Sequence, residues 1–296
     1  MKILFCPGQG SQSEGFLIPW VDSVPGFKSK LGELSEACGK DLVRLGTAAA
    51  EEEIKDTANA QPLIVGASIA AYSTAMANLG FEGVVGHSVG EFAAAAVSGV
   101  LSEFEAMQLV SVRANAMAEA ASEQQTSMAA VLGGDQSEIE SLIESMGLQV
   151  ANYNGGGQIV AAGLKDRIAN LVANPPERVR VIELKVAGAF HTSYMQSAVE
   201  VLSLAAAKIS AKDPQLALWS NRDGKKVSSG AEFLESLVSQ VASPVRWDLC
   251  MNAMQAEATQ VLELPPAGAL AGLAKRGMPN TVAVALKTPA DLEKIG

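Results

Sequence analysis

The string Gly86-His87-Ser88-Val89-Gly90 constrains this chain more than any other feature. It stands between a strand-like run, Gly83-Val84-Val85-Gly86, and a long helical pattern with Phe92, Ala95, Ala96 and Gly99 at spacings of three and four. Gly-x-Ser-x-Gly at a strand-to-helix junction is the pattern of a nucleophile elbow. The strained turn lifts the serine hydroxyl above a sheet, and the glycines remove side chains that would collide with nearby backbone. The helix that follows presents its positive end, and the amide of Val89 can donate to an oxyanion there. The plainer reading of the same string is a tight turn capped by its serine.

A serine hydroxyl becomes a useful nucleophile only when a base removes its proton, and near neutral pH that base is usually histidine. The chain has two, His87 and His191. His87 adjoins Ser88 in the same turn, where its ring points away from the hydroxyl, which leaves His191 in Gly188-Ala189-Phe190-His191. A lone histidine is also commonly a satisfied core or surface residue, but its pairing with the elbow favours the base. For the group that orients the base, Asp166, Glu183 and Glu200 can each be argued and none stands out. A backbone carbonyl can do the same work by accepting the other ring proton.

Gly8-Gln9-Gly10 follows the first strand-like run, Lys2 to Cys6, but Ser13 stands where a dinucleotide fingerprint needs its third glycine. The loop is instead suited to supply a second oxyanion donor, the amide of Gln9. His87 and Glu91, four residues apart, lack a third ligand, so no metal is expected. Gly155-Gly156-Gly157 reads as a hairpin turn.

Strands alternating with helices over the first part of the chain predict an α/β fold with a parallel sheet covered on both faces. Helices are expected at Phe27 to Cys38 and Gln61 to Leu79. Beyond about Thr126 the order becomes strand (Met128 to Leu132), helix (Gln136 to Met146), strand (Val150 to Tyr153), strand (Gln158 to Ala161), helix (Leu164 to Ala173) and strand (Arg180 to Leu184). That is the ferredoxin-like order. After His191 the first texture resumes, with strands at Leu216 to Ser220, Gln260 to Leu264 and Thr281 to Ala285. The predicted division is a large unit of 1–125 and 194–296 with a small inserted unit of 126–193.

Composition narrows the function. The chain of 296 residues carries 32 acidic against 22 basic residues, a net charge of −10, which argues against nucleic acid and against an anionic membrane surface. Thr57 to Phe81 carries no charge, but Gln61, Ser68, Ser73, Thr74 and Asn78 make it a helix buried inside a globular protein rather than a membrane span. The apolar start, Met1 to Cys6, is too short for a signal peptide, and Cys6, Cys38 and Cys250 form no CxxC pair. A cytoplasmic protein with reduced thiols is expected.

Taken together, Pro7-Gly8-Gln9-Gly10-Ser11-Gln12, Gly86-His87-Ser88-Val89-Gly90-Glu91, Arg113 and Gly188-Ala189-Phe190-His191 resemble the malonyl-CoA:acyl carrier protein transacylase family of type II fatty-acid synthesis. The resemblance continues through Ala60-Gln61-Pro62, Asn152-Tyr153-Asn154, Gln240 with Pro244-Val245-Arg246-Trp247, and Gly272-Leu273-Ala274-Lys275-Arg276. It implies a hydrolase-like core carrying the elbow serine and a ferredoxin-like insert. It also implies that Ser88 is the acylated nucleophile, His191 the base, and the amides of Gln9 and Val89 the oxyanion hole. By the same resemblance the carbonyl of Gln240 orients the base, Arg113 holds the malonyl carboxylate, and Gln61 and Phe190 adjoin the acyl group. Malonyl-CoA is the implied substrate, with the phosphopantetheine arm of acyl carrier protein as acceptor and no cofactor. The pathway, fatty acid or polyketide, stays open, as do a thioesterase-like hydrolase and a non-catalytic acyl-binding subunit. Leu264-Pro265-Pro266-Ala267-Gly268 departs from the family's usual Val-Gly-Pro-Gly. Because carrier proteins are acidic in such systems, a local basic patch of Lys185, Lys275 and Arg276 is expected near the Ser88 opening.

Overall fold

The computed structural model describes residues 1–295, with strands β1 (Lys2–Cys6), β2 (Gly83–Gly86), β3 (Thr126–Leu132), β4 (Gln149–Gly155), β5 (Gln158–Leu164), β6 (Arg180–Glu183), β7 (Ala217–Trp219), β8 (Val245–Arg246), β9 (Gln260–Glu263) and β10 (Val282–Ala285). A five-stranded sheet in the order β10-β9-β1-β2-β7 is parallel at every pairing. Its central strands are short, unbroken apolar runs such as Ile3-Leu4-Phe5-Cys6, as a sheet buried on both faces requires.

The uncharged stretch forms a helix, Thr57–Ala71, buried along almost its whole length and packed on the long helix Glu103–Glu123. Asp56 caps it by accepting the amide of Ala58. It runs directly into a π-helical turn, Tyr72–Met76, so the expected helix to Leu79 is not uniform. The helix after the elbow also differs from expectation. It covers only Gly90–Val97, because Gly99 takes a left-handed φ of 80° that ends it, and the next helix restarts at a capping box between Ser102 and Glu105.

The second sheet has the order β6-β3-β5-β4-β8. Its first four strands are antiparallel neighbours, arranged as fourth, first, third and second of their block. The helices Gln136–Ser145 and Lys165–Ala173 cover one face, burying Ile139, Ile143, Ile168 and Leu171 against Ala129, Val131, Ile159 and Ala161. Gly155 to Gly157 all have positive φ and make the β4–β5 turn. The two-residue β8, from far along the chain, adds a parallel edge on β4. A strand of two residues has no periodicity to read, so sequence patterning stops at four strands. Met128, Ala151, Val160 and Ala162 of the second sheet join the main core cluster with Leu4, Val84 and Leu262 of the first, so the two sheets meet across shared apolar packing.

Candidate active site

Parallel pairing places Cys6 opposite Gly86, so the loop after β1 and the elbow after β2 leave the same sheet edge together. The backbones are nearly in contact: a Cβ on Gly90 would lie 2.2 Å from the Cys6 carbonyl oxygen, and one on Gly86 would lie 2.1 Å from the Gly90 carbonyl carbon. Both elbow glycines are therefore required by space. Ser88 has φ 53°, a left-handed conformation that costs a non-glycine residue of order 1 kcal/mol or more. Asn221 holds this turn by accepting the Ser88 amide at 2.8 Å and donating its Nδ2 to the Gly86 carbonyl at 2.8 Å.

The turn aims the Ser88 hydroxyl at His191, with Oγ 2.6 Å from Nε2. The opposite ring nitrogen, Nδ1, lies 2.8 Å from the Gln240 carbonyl oxygen. A carbonyl can only accept, so Nδ1 carries the proton and Nε2 offers a lone pair to the Ser88 O–H. Of the alternatives weighed for the orienting group, Glu183, Asp166 and Glu200 are all exposed, and Glu183 accepts a hydrogen bond from Ser127 instead. Burial, reinforced by the positive charge of Arg113, pushes the His191 pKa down to about 3, so the ring is neutral at pH 7 and its Nε2 lone pair is free to accept a proton, though as a weaker base than an exposed imidazole. His87 turns the other way. Its Nε2 lies 3.0 Å from Asn154 Oδ1 and its ring packs edge-on to Trp247.

Arg113 reaches the same point from the long helix and is 1% exposed. Its Nη1 donates to Gln61 Oε1 at 2.6 Å, and its Nη2 to Gln240 Oε1 at 3.1 Å and toward Ser88 Oγ at 3.4 Å. Its Nε is buried without a partner among the described residues. Burial lowers its pKa to about 10, so it remains a cation at neutral pH with only neutral groups in direct contact. A buried guanidinium left in that state favours an anionic ligand.

Gln9, Gln61, Ser88, Arg113, Phe190 and His191 all line one cavity of about 380 Å³. Met117, Met128, Val160 and Leu273 give it an apolar wall, suited to an acyl chain or a pantetheine arm. The amides of Gln9 and Val89 donate to nothing among the described residues and belong to residues at this cavity. Arg276 stands at its rim. Lys185 is exposed between Leu184 and Val186, which line the cavity, and Lys275 is exposed beside Arg276. The Pro265-Pro266 loop is tied down by Ser68, which donates to the Pro265 carbonyl at 3.1 Å.

No cluster of three metal-ligating side chains occurs among the described residues. His87 faces Asn154, while Glu91 faces Asn221 and Gln240, so the pair does not converge. Burial pushes the Glu91 carboxyl up, to about 8, against the pull of the Asn221 amide, the Arg113 charge and the Gln240 side chain. A pKa of about 8 taken alone would make the acid the larger share at pH 7, but a proton on either oxygen would face a donor, so the carboxylate is the form that this set of hydrogen bonds selects. Sequence reasoning missed Asn221 entirely, since nothing marks one asparagine in a loop. For Glu91 a signal exists: it is the only charge in Gly90–Val97, whose other residues are glycine, phenylalanine, alanine and valine.

Residues 3–289 match the family model described as an acyl transferase domain. The malonyl CoA-acyl carrier protein transacylase of Mycobacterium tuberculosis is 46% identical over 300 residues, covering 100% of this chain and 99% of the relative. The crystal structure of MCAT from Mycobacterium tuberculosis superposes with a TM-score of 0.95 over 99% of both chains. A solved malonyl-transacylase in complex with its type II PKS acyl-carrier protein has a TM-score of 0.92 at 29% identity, covering 99% of this chain and 98% of that one.

Proposed function

This chain belongs to the acyl transferase domain family and, within it, to the malonyl-CoA:acyl carrier protein transacylases, and on that premise we propose how its residues carry the reaction. It transfers the malonyl group from malonyl-CoA to the phosphopantetheine thiol of acyl carrier protein. The observation that carries the residue assignment is a buried arginine with an orphaned Nε beside a serine–histidine pair.

His191 Nε2 takes the Ser88 proton as Oγ attacks the thioester carbonyl. The oxyanion that forms is held by the amides of Gln9 and Val89. Collapse breaks the carbon–sulfur bond, and the proton on His191 leaves with the CoA sulfur. In the second half the carrier thiol gives its proton to His191, its sulfur attacks the malonyl-serine ester, and Ser88 recovers the proton. The Gln240 carbonyl keeps Nδ1 protonated throughout. Arg113 pairs with the malonyl carboxylate, which also offsets the charge that depresses His191 and so strengthens the base once substrate is bound. Phe190 crowds a branched acyl group, and Gln61 holds the guanidinium in place. No metal or cofactor enters these steps.

The architecture fits a hydrolase-like core of 1–125 and 194–296 with a ferredoxin-like insert of 126–193. Three buried free thiols fit a reducing cytoplasm. The product distribution tests the reading: with malonyl-CoA and holo carrier protein, malonyl-carrier is expected as the main product. Free malonate as the main product would make the chain a hydrolase, and turnover of neither kind would make it a binding subunit.

A further inference from the structure

Glu91 is 1% exposed and lies in the first turn of the elbow helix, yet it does not line the cavity. Its Oε1 accepts the Asn221 amide at 2.7 Å, and its Oε2 accepts Gln240 Nε2. Each of those two residues then reaches the reacting groups. Asn221 clamps the backbone on both sides of the nucleophile, at the Ser88 amide and the Gly86 carbonyl. Gln240 has a double task. Its backbone carbonyl accepts from His191 Nδ1, and its side-chain Oε1 accepts from Arg113 Nη2.

We infer that Glu91 is a positioning residue that sets the orientation of the Gln240 amide and thereby the malonyl preference of Arg113. The inference rests on the assignment of Ser88, His191 and Arg113 made above. The chemistry follows from counting donors and acceptors. A carboxylate accepts on both oxygens, so it takes the Asn221 N–H and the Gln240 NH2 together. That fixes the Gln240 NH2 toward Glu91 and its oxygen toward the guanidinium, which is the only arrangement with a donor facing an acceptor at every contact. An amide at position 91 has one acceptor and one donor end. Whichever way it turns, it meets either the Asn221 N–H or the Gln240 NH2 with a donor of its own. Relief comes from flipping Gln240, which then turns an NH2 group toward Arg113. A buried donor facing a buried cation displaces the guanidinium.

The test compares Glu91→Gln and Glu91→Asp with wild type, measuring acylation of Ser88 from malonyl-CoA and from acetyl-CoA per active serine titrated with an organophosphate. Glu91→Gln is expected to slow both acylations and to lower the malonyl-to-acetyl ratio of kcat/KM by about tenfold or more. Glu91→Asp keeps both acceptor oxygens and is expected to retain most of the ratio even where its rate falls. An unchanged ratio in a folded Glu91→Gln enzyme overturns the inference, because a merely structural carboxylate slows both substrates alike. If Glu91→Gln does not fold, the Asp variant decides alone, and a ratio in it as low as that of Arg113→Ala overturns the inference. A wild-type enzyme that forms no malonyl adduct would sink the underlying assignment instead, so the two failures are distinguishable.

Discussion

At the scale of single residues, the proposed mechanism gives Arg113 the substrate choice. Truncating a buried charge pair from the ligand side leaves the guanidinium unpaired, so acetyl lacks what malonyl supplies. Arg113→Ala is expected to reduce malonyl acylation by on the order of 10²-fold, equivalent to about 3 kcal/mol, while acetyl acylation changes far less. Competing malonyl-CoA and acetyl-CoA by mass spectrometry checks this, and an equal fall in both removes the carboxylate role. The pH profile belongs to His191. A base at its ordinary pKa loses half its activity near about pH 6.5. Because burial and Arg113 hold the His191 pKa far lower, the ring stays unprotonated as pH falls through that region. The second-order rate constant for serine acylation, which reports the free enzyme and is followed by quench flow at low malonyl-CoA, should therefore stay level between about pH 7.5 and about 5.5. A midpoint near 6.5 would contradict the buried, neutral imidazole. Ser88 and His191 were legible in the sequence because one stands in a spaced glycine motif and the other is one of only two histidines. Asn221 and the Gln240 side chain were not, because a polar residue that binds backbone in a loop leaves no periodic trace.

At the scale of elements, the site depends on helix ends held by buried side chains. Glu263 closes β9, is fully buried, and accepts the amides of Gly268 at 2.7 Å, Leu270 at 3.0 Å and Ala271 at 2.9 Å. It thereby anchors the N-terminus of Ala269–Gly277, the helix that brings Leu270, Leu273 and Arg276 to the cavity. A carboxylate suits the positive end of that helix. Glu263→Gln leaves one amide facing a donor and is expected to cost about 2 kcal/mol, a fall of several degrees in thermal unfolding temperature. An unchanged unfolding temperature would show that the helix end does not need the charge. The parallel core and the four-strand block could be read from hydrophobic runs. The break at Gly99 and the π-helical turn at Tyr72–Met76 could not, since apolar periodicity continues across both.

At the scale of the whole molecule, the net charge of −10 works against an acidic partner, so docking has to depend on where the few cations lie. Arg276 at the cavity rim and Lys275 beside it end the helix that Glu263 anchors, and Lys185 stands between Leu184 and Val186, which line the same cavity. Reversing Lys185, Lys275 and Arg276 to Glu is expected to slow transfer to carrier protein by tenfold or more, about 1.4 kcal/mol, while serine acylation from malonyl-CoA falls less. Stopped-flow transfer rates from preformed malonyl-enzyme at several salt concentrations check this, and rates equal to wild type remove the patch. The most direct measurement follows intact mass after mixing with malonyl-CoA and again after adding holo carrier protein. Wild type should gain one malonyl group and lose it to the carrier, and Ser88→Ala should gain none. A malonyl adduct that persists in Ser88→Ala, or one that the carrier protein cannot remove from wild type, would contradict transfer through Ser88.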